Sequence, residues 1–363
     1  MQRRRFLFTG LTLATASLVG CGGGDDGDAV VLATRRDVTG LSASERQAFI
    51  DTLHGMKQTP SAYRAGTNAY DYFVSAHVEA FESHMSNAHR GAGFLPWHRE
   101  FLMRFEREMR RVSGDPGMCL PYWDWQRPGS YQSIFTDDFL GGNGDPSDLY
   151  LVKTGAFREG VWAMGGDFDD TPDEFPDTDG DDVPDIVGPD RLSHRGLTRC
   201  YNFLGQYRDS LEIIDHYMDR YPLGRVLNYP NYDAGPFDEM IARSEVDFSD
   251  PAQVAAWQQL MADSTSISMR KYLEVRLHNP VHGMIGGQMG TGSSPNDPAF
   301  FLHHCNVDRL WDLWQQHHGN AGYPTAQQSH MGGLGARLDV YAEDVRVEDT
   351  FDLATHSGVR YES

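Results

Sequence analysis

Cysteine is scarce in this chain, four in 363 residues, which excludes a fold stapled by disulfides. Basic residues are also short: 31 Lys and Arg stand against 52 Asp and Glu, a formal net charge of −21. Phosphate recognition draws on clustered Lys and Arg, so a nucleic-acid partner or an anionic membrane surface as binding target is excluded. No internal repeat is present, and no apolar run is long enough to span a bilayer. What the chain does have is a core's worth of apolar side chains, 40% hydrophobic with 12% aromatic, and 15 histidines.

Residues 1–20 read as an export signal. Arg3, Arg4 and Arg5 precede a modestly apolar stretch that ends Leu18-Val19-Gly20-Cys21. The start resembles a twin-arginine signal, and the end resembles a bacterial lipobox in which Cys21 is acylated and becomes the mature N-terminus. The expected location is therefore a lipid-anchored protein, carried folded across the inner membrane and facing the periplasm or cell exterior. Loss of residues 1–20 leaves 28 basic against 52 acidic residues.

Residues 21–41 read as a flexible acidic tether, 42–350 as one catalytic domain and 351–363 as a C-terminal tail. Ser44 with Gln47 offers a capping pattern for a first helix. In a second, Tyr70, Phe73, Val74, His77, Phe81 and His84 share one face, and a third from Pro96 carries His98 on its apolar stripe. Residues 191–265 read as loops and helices, and Val340 to Val347 as a short strand. The window 167–190 holds eleven acids, four prolines and no base, and reads as an acidic insert. Within it Asp177, Asp179, Asp181 and Asp185 have the spacing of oxygen ligands around a hard cation such as Ca²⁺. That loop resembles those of thrombospondin type 3 repeats, although Asp182 stands where a glycine is expected.

The chemistry lies in two histidine groups. The first is His77, His89 and His98. The second contains His278 and His282, four residues apart and so on one face of a helix, followed by His303 and His304. Pro280 fits that helix if it lies in the first turn. Buried imidazoles need partners, and nitrogen ligands without a bridging carboxylate suit a redox copper pair better than a hydrolytic zinc pair.

Two stretches carry a family resemblance. Tyr70-Asp71-Tyr72-Phe73-Val74-Ser75-Ala76-His77, then His89 through Phe94-Leu95-Pro96-Trp97-His98-Arg99, and Pro121-Tyr122-Trp123-Asp124-Trp125 resemble the CuA half of tyrosinases. Leu277-His278-Asn279-Pro280-Val281-His282, then Ser294-Pro295-Asn296-Asp297-Pro298 and His304-Cys305-Asn306-Val307-Asp308-Arg309-Leu310-Trp311, resemble the CuB half. The resemblance implies a mainly α fold, a helical bundle with long loops and few short strands, housing a type 3 pair of copper ions. It assigns His77, His89 and His98 to one copper and His278, His282 and His304 to the other, with His303 as the rival of His304 and His84 as that of His77. O₂ and a small phenol are the implied partners, with a copper-delivery protein as one route of loading. The implied activity is ortho-hydroxylation of monophenols, oxidation of o-diphenols to o-quinones, or both. Catechol oxidase, o-aminophenol oxidase and, in another class, hemocyanin-like O₂ carriage are the alternatives. Glu274 and Asn279 correspond to a pair that positions a catalytic water, and Asn306 and Asp308 to residues that orient ligand imidazoles. Asn87 replaces the cysteine that crosslinks to the His89 position in fungal and plant relatives, and Gly283 replaces a bulkier residue, which implies an open pocket.

Overall fold

A computed structural model describes residues 33–83, 86–165, 195–201, 210–238, 246–247, 249–264, 268–339, 341 and 343–362. The export signal, Cys21, His84 and the acidic insert with its candidate calcium ligands lie outside the described residues. The described residues all belong to one compact unit.

The architecture is helical. In chain order the elements that position the site are β1 (Ala33–Arg35), α1 (Ala43–Gln58), α2 (Asp71–Glu82), α3 (Phe94–Ser113), β2 (Gly144–Asp145), β3 (Leu151–Val152), α4 (Glu212–Arg220), α5 (Gly224–Asn228), α6 (Pro251–Ser264) and α7 (Met269–Lys271). A π-helical segment, Tyr272–His278, then runs into α8 (Asn279–Ile285), and α9 (Ala299–His318), α10 (Leu353–Ser357) and β4 (Val359–Tyr361) complete the order. Among the described residues the strands pair only two by two: β1 lies parallel to β4, and β2 antiparallel to β3.

α1 begins at a true capping box, though not the expected one. Ser42 accepts from the Glu45 N–H, and the Glu45 carboxylate accepts from the Ser42 N–H at 2.8 Å. Gln47 instead bonds Asp51, one turn on. α3 starts at Phe94, two residues before Pro96, and stops at Gly114, whose φ of 71° is the left-handed cap that a glycine adopts without a Cβ penalty. Its apolar stripe packs on α9 and on α2 with Tyr70 at its head through stacked and edge-on rings: Phe105 on Phe301 at 3.6 Å, Tyr70 on Phe105 at 5.5 Å, Phe73 on Phe101 at 5.3 Å. Each such pair contributes roughly 1 kcal/mol beyond the apolar area it buries.

Described parts of the stretches read as tether and tail belong to the packed unit, against expectation. Within the supposed tether Arg35 is fully buried, and its guanidinium bonds Glu106 on α3 and Asp308 on α9, at 2.8 and 2.7 Å. The supposed tail supplies β4, whose Tyr361 pairs with Arg35 in register and donates its hydroxyl to Asp308 at 2.7 Å. A buried guanidinium needs anionic and hydroxyl partners, and the pairing of β1 with β4 beside α9 supplies them. Among the described residues of the stretch Val340 to Val347 the expected strand is not seen. An isolated bridge joins Arg337 to Arg346, whose N–H is taken by the Asp349 carboxylate at the head of a 3₁₀ turn, Val347–Thr350.

Candidate metal centre

Each histidine of the two groups is delivered by helix geometry or by a loop pinned to one. His77 lies on α2 and His98 on α3, with His89 in the connection between them. His278 ends the π segment and His282 lies on α8, of which Pro280 is the second residue. His303 and His304 follow on α9. Ligand-capable atoms of His77, His89 and His98 all lie within 4.8 Å of one another, as do those of His278, His282, His303 and His304. The two groups abut: the His98 ring stacks on His304 with centroids 4.4 Å apart.

The tautomers follow from the neighbours. His77 Nδ1–H donates to the Gly292 carbonyl at 2.6 Å, and His98 Nδ1–H to the Phe94 carbonyl at 2.9 Å. In both, Nε2 is left as a buried lone pair with no protein partner among the described residues. His282 Nδ1–H donates to the Met289 carbonyl at 2.6 Å and His278 Nδ1–H to Asn279 Oδ1 at 2.8 Å. Their Nε2 atoms therefore turn lone pairs toward His304 Nε2, at 3.2 and 3.1 Å.

Three imidazole nitrogens aimed at one point are mutually repulsive unless a cation lies between them. Nitrogens each about 2.0 Å from a shared metal in tetrahedral directions stand about 3.3 Å apart, close to the separations here. The residues thus fit a metal. His304, not His303, supplies the nitrogen that closes this triangle. His303 is fully buried and stacks flat on His278 at 5.1 Å, 17° from parallel, without a well-formed hydrogen bond at either ring nitrogen.

Burial foremost, then the neighbouring imidazoles, holds these rings in the neutral form that metals bind. His89, His98, His278, His303 and His304 lie well below the usual histidine value for those reasons. Burial lowers His77 and His282 as well, each to about 4.

A cavity of about 270 Å³ opens onto both groups, lined by His77, His89, His278 and His282 and, around them, by Phe81, Arg90, Glu274, Asn279 and Gly283. Glu274 is buried on the π segment, its Oε1 accepting the Arg90 N–H at 2.6 Å and its Oε2 the Arg270 guanidinium at 2.7 Å. Asn279 both lines the cavity and fixes the His278 ring. Gly283 faces open space, since a Cβ added there meets nothing within 4 Å. Asn87 donates its amide to the Arg337 carbonyl at 2.8 Å, a loop contact with no covalent link to His89.

Asn306 and Asp308 do not orient imidazoles. Asp308, one turn beyond His304, faces away from the cavity and takes Arg35, Arg99 and Tyr361. Asn306 Oδ1 reaches only Arg309, at 3.4 Å. Main-chain carbonyls of Gly292, Phe94 and Met289 do the orienting instead, a role that any residue type can fill and that leaves no mark in a sequence. Arg35 and Arg90 also went unmarked, because their contacts with Glu106, Asp308 and Glu274 join residues far apart in sequence.

The profile described as the common central domain of tyrosinase matches residues 67–317, well over half the chain and both histidine groups. The chain belongs to the tyrosinase family. Tyrosinase from Streptomyces lincolnensis is 32% identical over 339 residues, covering 90% of this chain and 97% of that protein. Grixazone synthase from Streptomyces griseus subsp. griseus is 29% identical over 315 residues, covering 84% and 92%. Among solved structures, a polyphenol oxidase from Thermothelomyces thermophila superposes with a TM-score of 0.56 at 22% identity, covering 91% of this chain and 88% of that one. Tyrosinase from Burkholderia thailandensis gives 0.51 at 16%, covering 92% and 74%, and these likenesses speak to the fold. As a member of the tyrosinase family the protein is a copper-dependent oxidoreductase, a type 3 copper phenol oxidase, and the family implies two copper ions.

Proposed function

We propose that this oxidase hydroxylates monophenols at the ortho position and oxidises the resulting o-diphenols to o-quinones with O₂. His77, His89 and His98 hold one copper, and His278, His282 and His304 the other. Bound there, the two ions supply the activation of O₂. The observation that carries the assignment is the approach of the His278 and His282 Nε2 atoms to within 3.2 Å of His304 Nε2, both with their opposite ring nitrogens already committed.

The chain's own contribution is placement and proton handling. Asn279 keeps the His278 Nδ1 proton, and so keeps Nε2 free. Glu274 is the acceptor of the phenolic proton, through a water it shares with Asn279. A carboxylate has about four lone-pair sites, so capacity remains beside the Arg90 and Arg270 contacts. Phe94, whose ring lies 4.9 Å from His278 and 4.8 Å from His98, walls the two groups from bulk water.

Metal analysis of the purified protein with oxygen uptake on matched monophenols, o-diphenols and o-aminophenols tests the reading. Two coppers per chain and turnover of the first two classes are expected. Uptake confined to diphenols or o-aminophenols replaces it with the narrower oxidase, and stoichiometric O₂ binding without turnover replaces it with a carrier. Export through the twin-arginine route and acylation at Cys21 belong to the same proposal. They rest on Arg3, Arg4, Arg5 and the Leu18-Val19-Gly20-Cys21 run, and radiolabelled palmitate that fails to label the protein removes the lipid anchor.

A further inference from the structure

Of the seven histidines in the two groups, only His89 stands outside a helix. The other six are carried on α2, α3, the π segment, α8 and α9, whereas His89 lies in a bend between α2 and α3. Its ring is no better held. His89 Nδ1 is buried with no hydrogen-bond partner among the described residues, while His77, His98, His278 and His282 each commit that nitrogen to an oxygen. His304 Nδ1 is unpartnered in the same way, but the turns of α9 fix its backbone. A ligand with neither a helix beneath it nor a bond at its ring is placed by whatever holds its loop.

That loop is gripped on both sides of His89. Two residues before it, the buried Asn87 uses both ends of its amide: Nδ2 donates to the Arg337 carbonyl at 2.8 Å, and Oδ1 accepts the Asp339 N–H at 3.4 Å. After it, the Arg90 N–H donates to Glu274 at 2.6 Å, the Ala92 carbonyl accepts the Tyr232 hydroxyl at 2.7 Å, and the Gly93 N–H donates to the Met331 carbonyl at 3.1 Å. Gly91 lets the two stretches meet, since a Cβ there would stand 2.9 Å from the Met331 carbonyl oxygen.

Met331 is itself set by a carboxylate. Asp238 accepts from the Ser329 hydroxyl at 2.6 Å and from the His330 and Met331 N–H groups at 2.8 and 3.2 Å. The far end of the His89 loop therefore rests on a turn that Asp238 gathers, and the near end is tied by Asn87. Neither side chain belongs to the histidine groups.

We propose that Asn87 and Asp238 are the positioning residues of His89, and that through the loop they set how tightly the His77, His89 and His98 group holds its metal. The proposal rests on the two-copper reading of the site. A ligand free to sample other positions must be ordered each time the metal binds, and that ordering is paid in affinity. Loss of the partners that orient a ligand typically weakens a metal site by about 10- to 100-fold. The His278, His282 and His304 group makes no use of this loop for its own orienting bonds and keeps its affinity.

Two backgrounds separate the sites: His304→Ala leaves the His77, His89 and His98 group intact, and His98→Ala leaves the other. Cu(I) affinity is measured in each by competition with bathocuproine disulfonate, with and without Asn87→Ala or Asp238→Ala. A fall of about tenfold or more is expected in the His304→Ala background and none in the His98→Ala background, with Asp238→Asn recovering part of the loss because it keeps an acceptor oxygen. Equal falls in both backgrounds mark a merely structural role and overturn the proposal, as does no fall in either. Amide hydrogen exchange of the copper-free, otherwise unaltered chain repeats the comparison without metal. Asn87→Ala is expected to speed exchange at Arg90 and Gly93 and to leave α8 unchanged, and unaltered exchange at those two amides overturns the clamp. Failure of the parent protein to bind copper strikes at the two-copper reading instead, while the exchange measurement still decides whether Asn87 holds the loop.

Discussion

Two adjacent histidines on α9 illustrate how narrowly a ligand is defined. His303 and His304 are equally buried, and both lie near His278, yet only His304 Nε2 comes within 3.2 Å of the Nε2 atoms of both His278 and His282. His304→Ala is expected to hold about one copper where the parent holds two, while His303→Phe, which preserves the flat stack on His278, keeps both. Metal analysis after exhaustive loading reads this directly, and a reversed pattern moves the ligand to His303. Asp308 presents a different case, because it faces two buried guanidinium groups. Asp308→Ala leaves Arg35 and Arg99 without that anion, and breaking a buried pair in this way costs about 3–5 kcal/mol. Urea unfolding of the copper-free variant measures the loss, and a change below 1 kcal/mol contradicts the network's role.

At the scale of elements, what the sequence shows and what it hides divide along a physical line. The faces of α2 and α3 were legible, because the helical spacing of Tyr70, Phe73 and His77, and the place of His98 on an apolar stripe, are local properties. So was the place of Pro280 at the start of α8. The capping box was misplaced by two residues, from Ser42 to Ser44, since both serines precede an acid or amide at the required spacing and only the backbone chooses between them. Ser42→Ala is therefore expected to cost about 1 kcal/mol and Ser44→Ala a few tenths at most, by denaturant midpoint. Comparable losses at both positions contradict the cap as drawn. The π segment, Tyr272–His278, had no signature. On it Leu273 and Leu277 are buried in the core while Glu274 and His278 line the cavity. β1 and β4 were read as tether and tail for a similar reason: three-residue strands have too few side chains to alternate visibly, and what orders them is Arg35 reaching Glu106 and Asp308.

The whole molecule concentrates neutral histidine in its interior, and that has a consequence for how it tolerates acid. In the folded, copper-free protein burial holds His77 and His282 near 4 and the other five cluster histidines well below their ordinary value, whereas in the unfolded chain all seven protonate near 6.5. Between those values the unfolded state binds more protons than the folded one, so stability falls as the pH is lowered through this window and is unaffected by these groups above it. Asp308, whose carboxyl stays below its usual value through Arg99 and Arg35 despite burial, adds to the loss only at lower pH, where its partners lose their anion. Copper opposes the effect, because a nitrogen that binds metal cannot take a proton, and ligand binding to the folded state stabilises it by mass action. The copper-free protein is therefore expected to show a thermal midpoint that falls between pH 7 and pH 5, and the copper-loaded protein a smaller fall over the same range. Scanning calorimetry of both forms at several pH values reads the two slopes. Equal slopes with and without copper would show that these seven imidazoles are not what the metal protects, and would return the acid sensitivity to the carboxylates.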